Sequence, residues 1–170
     1  GHMGLKNNWD VHLGGTISNI GETHCDRCTR GGPTLRNSRA FYPWGGFNSD
    51  SRKTVSGGFW FNYGTSDEGN THYLSLDPYM NLRFGTQLTV SLGFGRFKNT
   101  DDAQWYDNIT TAGVTHYTFA HLEQTTTSMN TRINYTVTPD LTVERYLEPF
   151  ASSGRSSPLP TPTASTTTRA

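Results

Sequence analysis

Alternation of apolar and polar side chains limits what this chain can become more than any other feature. Trp9, Val11 and Leu13 fall on one side of an extended backbone while Asp10, His12 and Gly14 fall on the other. The same two-residue period runs through Val55, Gly57, Phe59, Phe61 and Tyr63, and again through Leu88, Val90, Leu92 and Phe94. Successive side chains of a strand point to opposite faces, so these segments are strands with two unlike faces. Weaker alternation covers about 38 to 47, 71 to 77, 103 to 109, 114 to 122, 125 to 137 and 141 to 149, which makes roughly nine strands. Asn48-Ser49-Asp50-Ser51, Asp77-Pro78 and Thr138-Pro139-Asp140 carry the residue types of tight turns. Longer loops fall at about 19 to 37, 64 to 70 and 98 to 102. The expected fold is all-β: an antiparallel up-and-down sheet, or a partial β-barrel, of roughly nine strands.

The stretch Gln124 to Asn134 carries Thr, Ser or Asn on both faces, which cannot close a dry core. One face must therefore be wet, shared with another chain, or turned to a polar lumen. Composition agrees: 32% hydrophobic and 16% charged residues, with 18 Gly and 26 Thr, fit neither a helical domain nor a charge-driven disordered chain. Fourteen Lys+Arg balance 14 Asp+Glu, which removes the electrostatic basis for nucleic acid or an anionic membrane as a primary partner. No apolar run approaches the roughly 20 residues of a membrane-spanning helix. Length allows one domain. Residues 1 to 3 read as the remnant of a cleaved tag, 4 to 150 as the β domain, and 151 to 170 as a flexible Pro/Ser/Thr tail.

Several constellations could carry chemistry. His24, Cys25 and Cys28 form half of a zinc site by spacing, but no second Cys/His pair lies nearby; inert or disulfide-linked loop cysteines are the first reading, a metal completed by His24 or a distant His the second and redox chemistry the third. Asp67 and Glu68 in one loop, and Asp101, Asp102 and Asp107 around another, are oxygen donors of the kind calcium takes, if the loops share a rim. Calcium is thus the expected cofactor and zinc the lesser candidate; solvated loop carboxylates are the plain alternative. His121 and Glu123 are two residues apart on one strand face, the arrangement of an imidazole base oriented by a carboxylate, as ester or lactone hydrolysis needs, but no Gly-x-Ser-x-Gly elbow accompanies them and a structural histidine with a cross-strand partner is the plain reading. Glu144 and Glu148 share a face as a glycosidase pair would, though Arg145 between them suits a charged edge. Trp9, Trp44, Trp60, Trp105, Tyr63, Tyr73, Tyr79 and Tyr106 fall near expected strand ends, where they suit interfacial girdles, a sugar or acyl-chain groove, or partial core filling.

Three stretches carry a resemblance: Thr29-Arg30-Gly31-Gly32-Pro33, Ser49-Asp50-Ser51-Arg52-Lys53, and the run from Phe119 to Gly154. Spread over about 20 to 154, they resemble a bacterial outer-membrane family of unknown function, in which a carbohydrate-binding family 9-like module precedes a large C-terminal β-barrel. The chain lacks that module, is shorter than the barrel, and leaves the pattern at Arg155, so it resembles a fragment. The resemblance implies an outer-membrane location and a role in transport or glycan handling; it assigns no catalytic residue. Three functions follow as expectations. The first is a barrel segment binding an amphiphilic or glycan ligand, with the membrane or a second copy at its sheet edges. The second is a small calcium-dependent hydrolase of an ester, lactone or glycoside, and the third a carbohydrate-binding module.

Overall fold

A computed structural model describes residues 1–21, 23–67 and 70–158. Its strands are β1 (His2–Gly4), β2 (Asp10–Ser18), β3 (His24–Cys25), β4 (Leu35–Arg36), β5 (Ala40–Asn48), β6 (Val55–Ser66), β7 (Thr71–Phe84), β8 (Leu88–Thr111), β9 (Val114–Thr138), β10 (Leu141–Leu147) and β11 (Phe150–Pro158). Nine of them form one antiparallel sheet in the order β1-β2-β5-β6-β7-β8-β9-β10, with β11 also on β9; β3 and β4 make a separate small ribbon. The sheet is an up-and-down meander and is not closed. Its chemistry matches the alternation: all-β, antiparallel and of the expected strand number.

Several boundaries differ from the sequence expectation. Residues 88–94 and 103–109 belong to one strand of 24 residues, and 114–122 and 125–137 to one of 25, so the loop expected at 98 to 102 is paired backbone. In the polar run Lys98 to Asp102, Lys98 is exposed and the other four residues are half-buried strand. Register shifts between Asp101 and Gln104 and between Trp105 and Asp107 mark bulges there. Asp77-Pro78 lies inside β7; it pairs with Trp60 and Phe59 of β6 while the ladder to β8 skips from Leu76 to Tyr79, because proline has no N–H to donate. Phe150–Pro158 pairs with β9, so the expected tail from 151 begins as a strand, and its remainder from 159 lies outside the described residues. At the other terminus, the residues read as a tag remnant are paired in β1. The β8–β9 hairpin turns on Ala112 (φ 51°) and Gly113 (φ 80°), the two left-handed positions of a type I′ turn.

Register assigns every side chain a face. On one face lie Val11, Leu13 and Ile17 of β2, Phe41 and Phe47 of β5, Phe59, Phe61 and Tyr63 of β6, and Leu74, Leu76, Met80, Leu82 and Phe84 of β7. Leu88, Val90, Leu92 and Phe94 of β8 and Met129, Ile133, Tyr135 and Val137 of β9 extend it. The opposite face carries Asn62, Asn81, Ser75, Asp77, Ser91, Asn130, Ser128 and Asn134 at the intervening positions. Among the described residues no element packs over the apolar face: Leu13 is 59% exposed, Phe84 55% and Leu147 64%. Among the described residues the buried hydrophobic side chains are Ala40 and Ala120. A chain stabilised by its own dry core buries its large apolar residues; this one turns them outward.

Candidate functional site

On the polar face a set of aromatic rings lies flat against the sheet. Trp44 sits directly across from Gly14, Trp60 from Gly46, Tyr79 from Gly58 and Tyr73 from Gly64. Each ring covers the glycine of the preceding strand: a Cβ on Gly14 would stand 2.4 Å from the Trp44 ring, and one on Gly64 2.2 Å from that of Tyr73. Only a residue without a Cβ lets the ring lie down, and once flat it exposes its other face away from the sheet. Trp60 stands 6.4 Å from Trp44 and 5.1 Å from His12, and Tyr73 6.3 Å from Tyr42 and 5.9 Å from Phe97. Asn48 ties the row together, its side-chain oxygen accepting from the Trp60 indole N–H at 3.2 Å and the Tyr79 hydroxyl at 2.8 Å. Trp44, Trp60 and Tyr79 stand in mid-strand, not at the strand ends where the sequence reading placed them, while Tyr73 lies near the start of β7.

Beyond the apolar rows, where β8 and β9 continue toward their turn, His121 of β9 is held between two carboxylates. Its Nδ1 is hydrogen-bonded to Asp102 of β8, and its Nε2 is 3.5 Å from Glu123. The expected His121/Glu123 pairing is therefore present, and the bulge after Asp101 brings in Asp102 as a third member. The hydrogen bond to Asp102 holds the imidazole above its ordinary range; partial burial opposes this and Glu123 adds to it. That shift favours the imidazolium, the form with no lone pair for general-base work. Asp102 accepts no link to a third acid directly: Thr71 Oγ accepts from the Asp102 amide at 3.3 Å and donates to Asp67 at 2.8 Å.

The other candidate ligands do not meet. Asp107 lies farther along β8, accepting from the Asn108 amide at 2.8 Å, and Asp101 pairs with Leu122. Glu68 lies outside the described residues. Among the described residues no group of three His, Cys, Asp or Glu side chains is arranged to hold a metal ion. Cys25 and Cys28 are joined in a disulfide beside His24, so neither offers a thiolate. Glu144 pairs with Arg132 at 3.2 Å on the polar face, and Glu148 accepts from Tyr146, so the two do not form a matched acid pair.

Two features were not visible in the sequence. The turn after β5 is locked by Asp50, 6% exposed, which accepts from Arg52 Nε and Nη2 at 2.9 Å each and from the Arg52 amide at 3.0 Å. The Arg52 side chain and amide together lower its carboxyl to about 2. The loop between β2 and β5 docks on the upper part of the long hairpin: Arg30 lies 4.1 Å over the Trp105 ring, Asn108 donates to the Thr29 carbonyl at 3.3 Å, and Gly32 lies against Tyr117. Thr29 is buried there and donates to the Pro33 carbonyl at 2.9 Å. Compared with known proteins, the chain matches no protein-family model, no curated protein and no solved structure.

Proposed function

We propose that the chain is a segment of a membrane-spanning β-barrel, set in the outer membrane as its resemblance implies, with the apolar face against lipid and the polar face lining a wet lumen. The observation that carries this is the division of faces by register. Apolar rows run over Leu74 to Phe84 of β7, Val55 to Tyr63 of β6 and Met129 to Val137 of β9, lengths near the roughly 9 to 11 residues that a tilted strand needs to cross a bilayer. The β1/β2 and β10/β11 edges carry unpaired backbone groups that hydrocarbon does not tolerate, so further strands must complete the ring. Within this reading the ligand is a glycan, since flat indole and phenol faces beside Asn48, Asn62 and Ser75 offer both stacking and hydrogen bonds to a sugar ring.

Size-exclusion chromatography with and without detergent tests it. The expected result is a discrete species in detergent and aggregates or oligomers in plain buffer. A stable monomer in plain buffer that binds no apolar dye would overturn the reading. For the ligand, tryptophan fluorescence should respond to added oligosaccharide in the native protein and not in a Trp44→Ala, Trp60→Ala variant.

A further inference from the structure

On the outward face of β8 the apolar row ends abruptly. Leu88, Val90, Leu92 and Phe94 are followed, still at every second position, by Arg96 and Lys98. Their cross-strand neighbours are Leu76 and Leu74 on β7 and Thr127 and Thr125 on β9, so no carboxylate stands opposite either cation. One row farther on, Arg155 of β11 stands opposite Glu123 on the same face. Glu123 lies 3.5 Å from the His121 imidazole, and among the described residues none of Arg96, Lys98 and Arg155 makes an ion pair. All three are exposed.

Lys98 and Arg155 line a built concavity, and Arg96 stands outside it, one row nearer the apolar band. A groove of about 670 Å³ crosses β7, β8, β9 and β11 just beyond the apolar rows, lined among others by His72, Lys98, Thr100, Glu123, Thr125 and Arg155. That volume lies within the range of ligand sites, and its threonine hydroxyls can donate to an oxyanion. Lys98 and Arg155 stand two strands and one row apart, a backbone spacing of about 12 Å that their long side chains can close around one anionic group.

We propose that this groove binds the phosphate of an anionic lipid headgroup, in the leaflet on the side of the long hairpin. The assignment rests on the barrel reading and adds a ligand to it. Where hydrocarbon gives way to headgroups, a cation on the lipid-facing surface meets a plane of phosphates, and its attraction to that plane supplies the counter-charge the protein leaves out. Docking of an acidic protein would need the same charges at a surface away from lipid; here they continue the row that ends in Phe94.

The test uses the full chain added to vesicles of phosphatidylcholine, with and without phosphatidylglycerol, and measures bound protein by flotation. Each cation near an anionic surface contributes about a fivefold gain in binding. The native chain should therefore prefer the phosphatidylglycerol vesicles, and Arg96→Gln, Lys98→Gln, Arg155→Gln together should remove on the order of a hundredfold of that preference. Arg27→Gln, Arg36→Gln, Arg39→Gln, which takes the same charge from the β2–β5 loop region, should keep it. Equal loss in both triple variants would mean net charge alone acts and would overturn the site. Loss of the preference in excess inorganic phosphate, with high chloride harmless, would make it a free-anion site and overturn the lipid assignment. Insertion into both vesicles without preference would overturn the site and leave the barrel reading standing, whereas failure to insert into either would overturn both.

Discussion

Arginine at position 80 and arginine at position 81 should have opposite consequences. Met80 lies on the apolar face, across from Gly57 on β6 and Leu92 on β8, while Asn81 lies on the polar face between Ser56 and Ser91. Met80 is four residues from Phe84, where the apolar row of β7 ends. At about 3.3 Å per residue and a tilt of about 40°, this puts it about 10 Å inside a band about 25 Å tall, close to the midplane. An arginine facing lipid at that depth costs about 2 to 4 kcal/mol. At about 1.4 kcal/mol per tenfold, the folding equilibrium of Met80→Arg should fall roughly 30- to 700-fold. Asn81→Arg faces water and hydroxyls and should change stability by less than about 0.5 kcal/mol. The assay is urea unfolding of chain folded into phospholipid bilayers, followed by tryptophan fluorescence. Equal costs at the two positions, or a larger one at 81, would refute the assignment of faces and with it the barrel reading.

Three further outcomes follow from individual contacts. Gly64→Val drives a side chain into the rings of Tyr73 and Tyr42, 2.2 and 2.8 Å from the new Cβ, and should destabilise by about 1 to 3 kcal/mol, whereas Gly21→Ala, with nothing within 4 Å, should be close to neutral in the same denaturation experiment. Asp50 has a folded-state pKa of about 2 against an ordinary 3.8, so the unfolded chain binds this proton more tightly. Its stabilisation is complete above the ordinary value and is lost as pH falls toward 2, and Asp50→Asn should flatten that acid limb of the stability profile. His121 has the opposite sign: raised above 6.5 by Asp102, it stabilises the fold below that value and loses the contribution as pH rises through its folded pKa. In Asp102→Asn its NMR titration should move down; an unchanged midpoint would contradict the contact.

What the sequence disclosed was the local part of the fold. A period of two needs no knowledge of neighbours, so Val55 to Tyr63 and Leu88 to Phe94 read as strands at once, and His121 and Glu123 read as one face. What it concealed depends on register between strands. Asp102 is 19 residues from His121, and only the pairing of β8 with β9, shifted by a bulge after Asp101, brings them together. The role of the glycines at 14, 46, 58 and 64 follows only from the pairing, which sets each across from an aromatic ring. The run Lys98 to Asp102 read as a loop because polarity is a common mark of loops; a strand that has left an apolar environment is polar as well. Cys25 and Cys28 pair as a disulfide, and their spacing alone does not choose between that and a metal half-site.

The lengths of β8 and β9 join these observations. Twenty-four or twenty-five residues extend about 80 Å, about 60 Å along a barrel axis after tilt, which is more than twice the height of an apolar band. Only the first part of the hairpin, Leu88 to Phe94 with Met129 to Val137, is apolar on its outward face; the rest carries Arg96, Lys98, the His121 cluster and the contact of Trp105 with Arg30. On the proposed barrel reading, the hairpin is one continuous element serving two media, with its apolar part in lipid and its polar part supporting the disulfide-bearing loop. Arg145 is the exception to this division, a charge among Val143 and Leu147 on the apolar face, opposite Ile133. It lies on the edge strand, where a neighbouring strand would shield it from lipid. Arg145→Leu should therefore stabilise the isolated segment in bilayers by up to about 2 kcal/mol, and a loss of stability would mean that this position already has a partner in the segment.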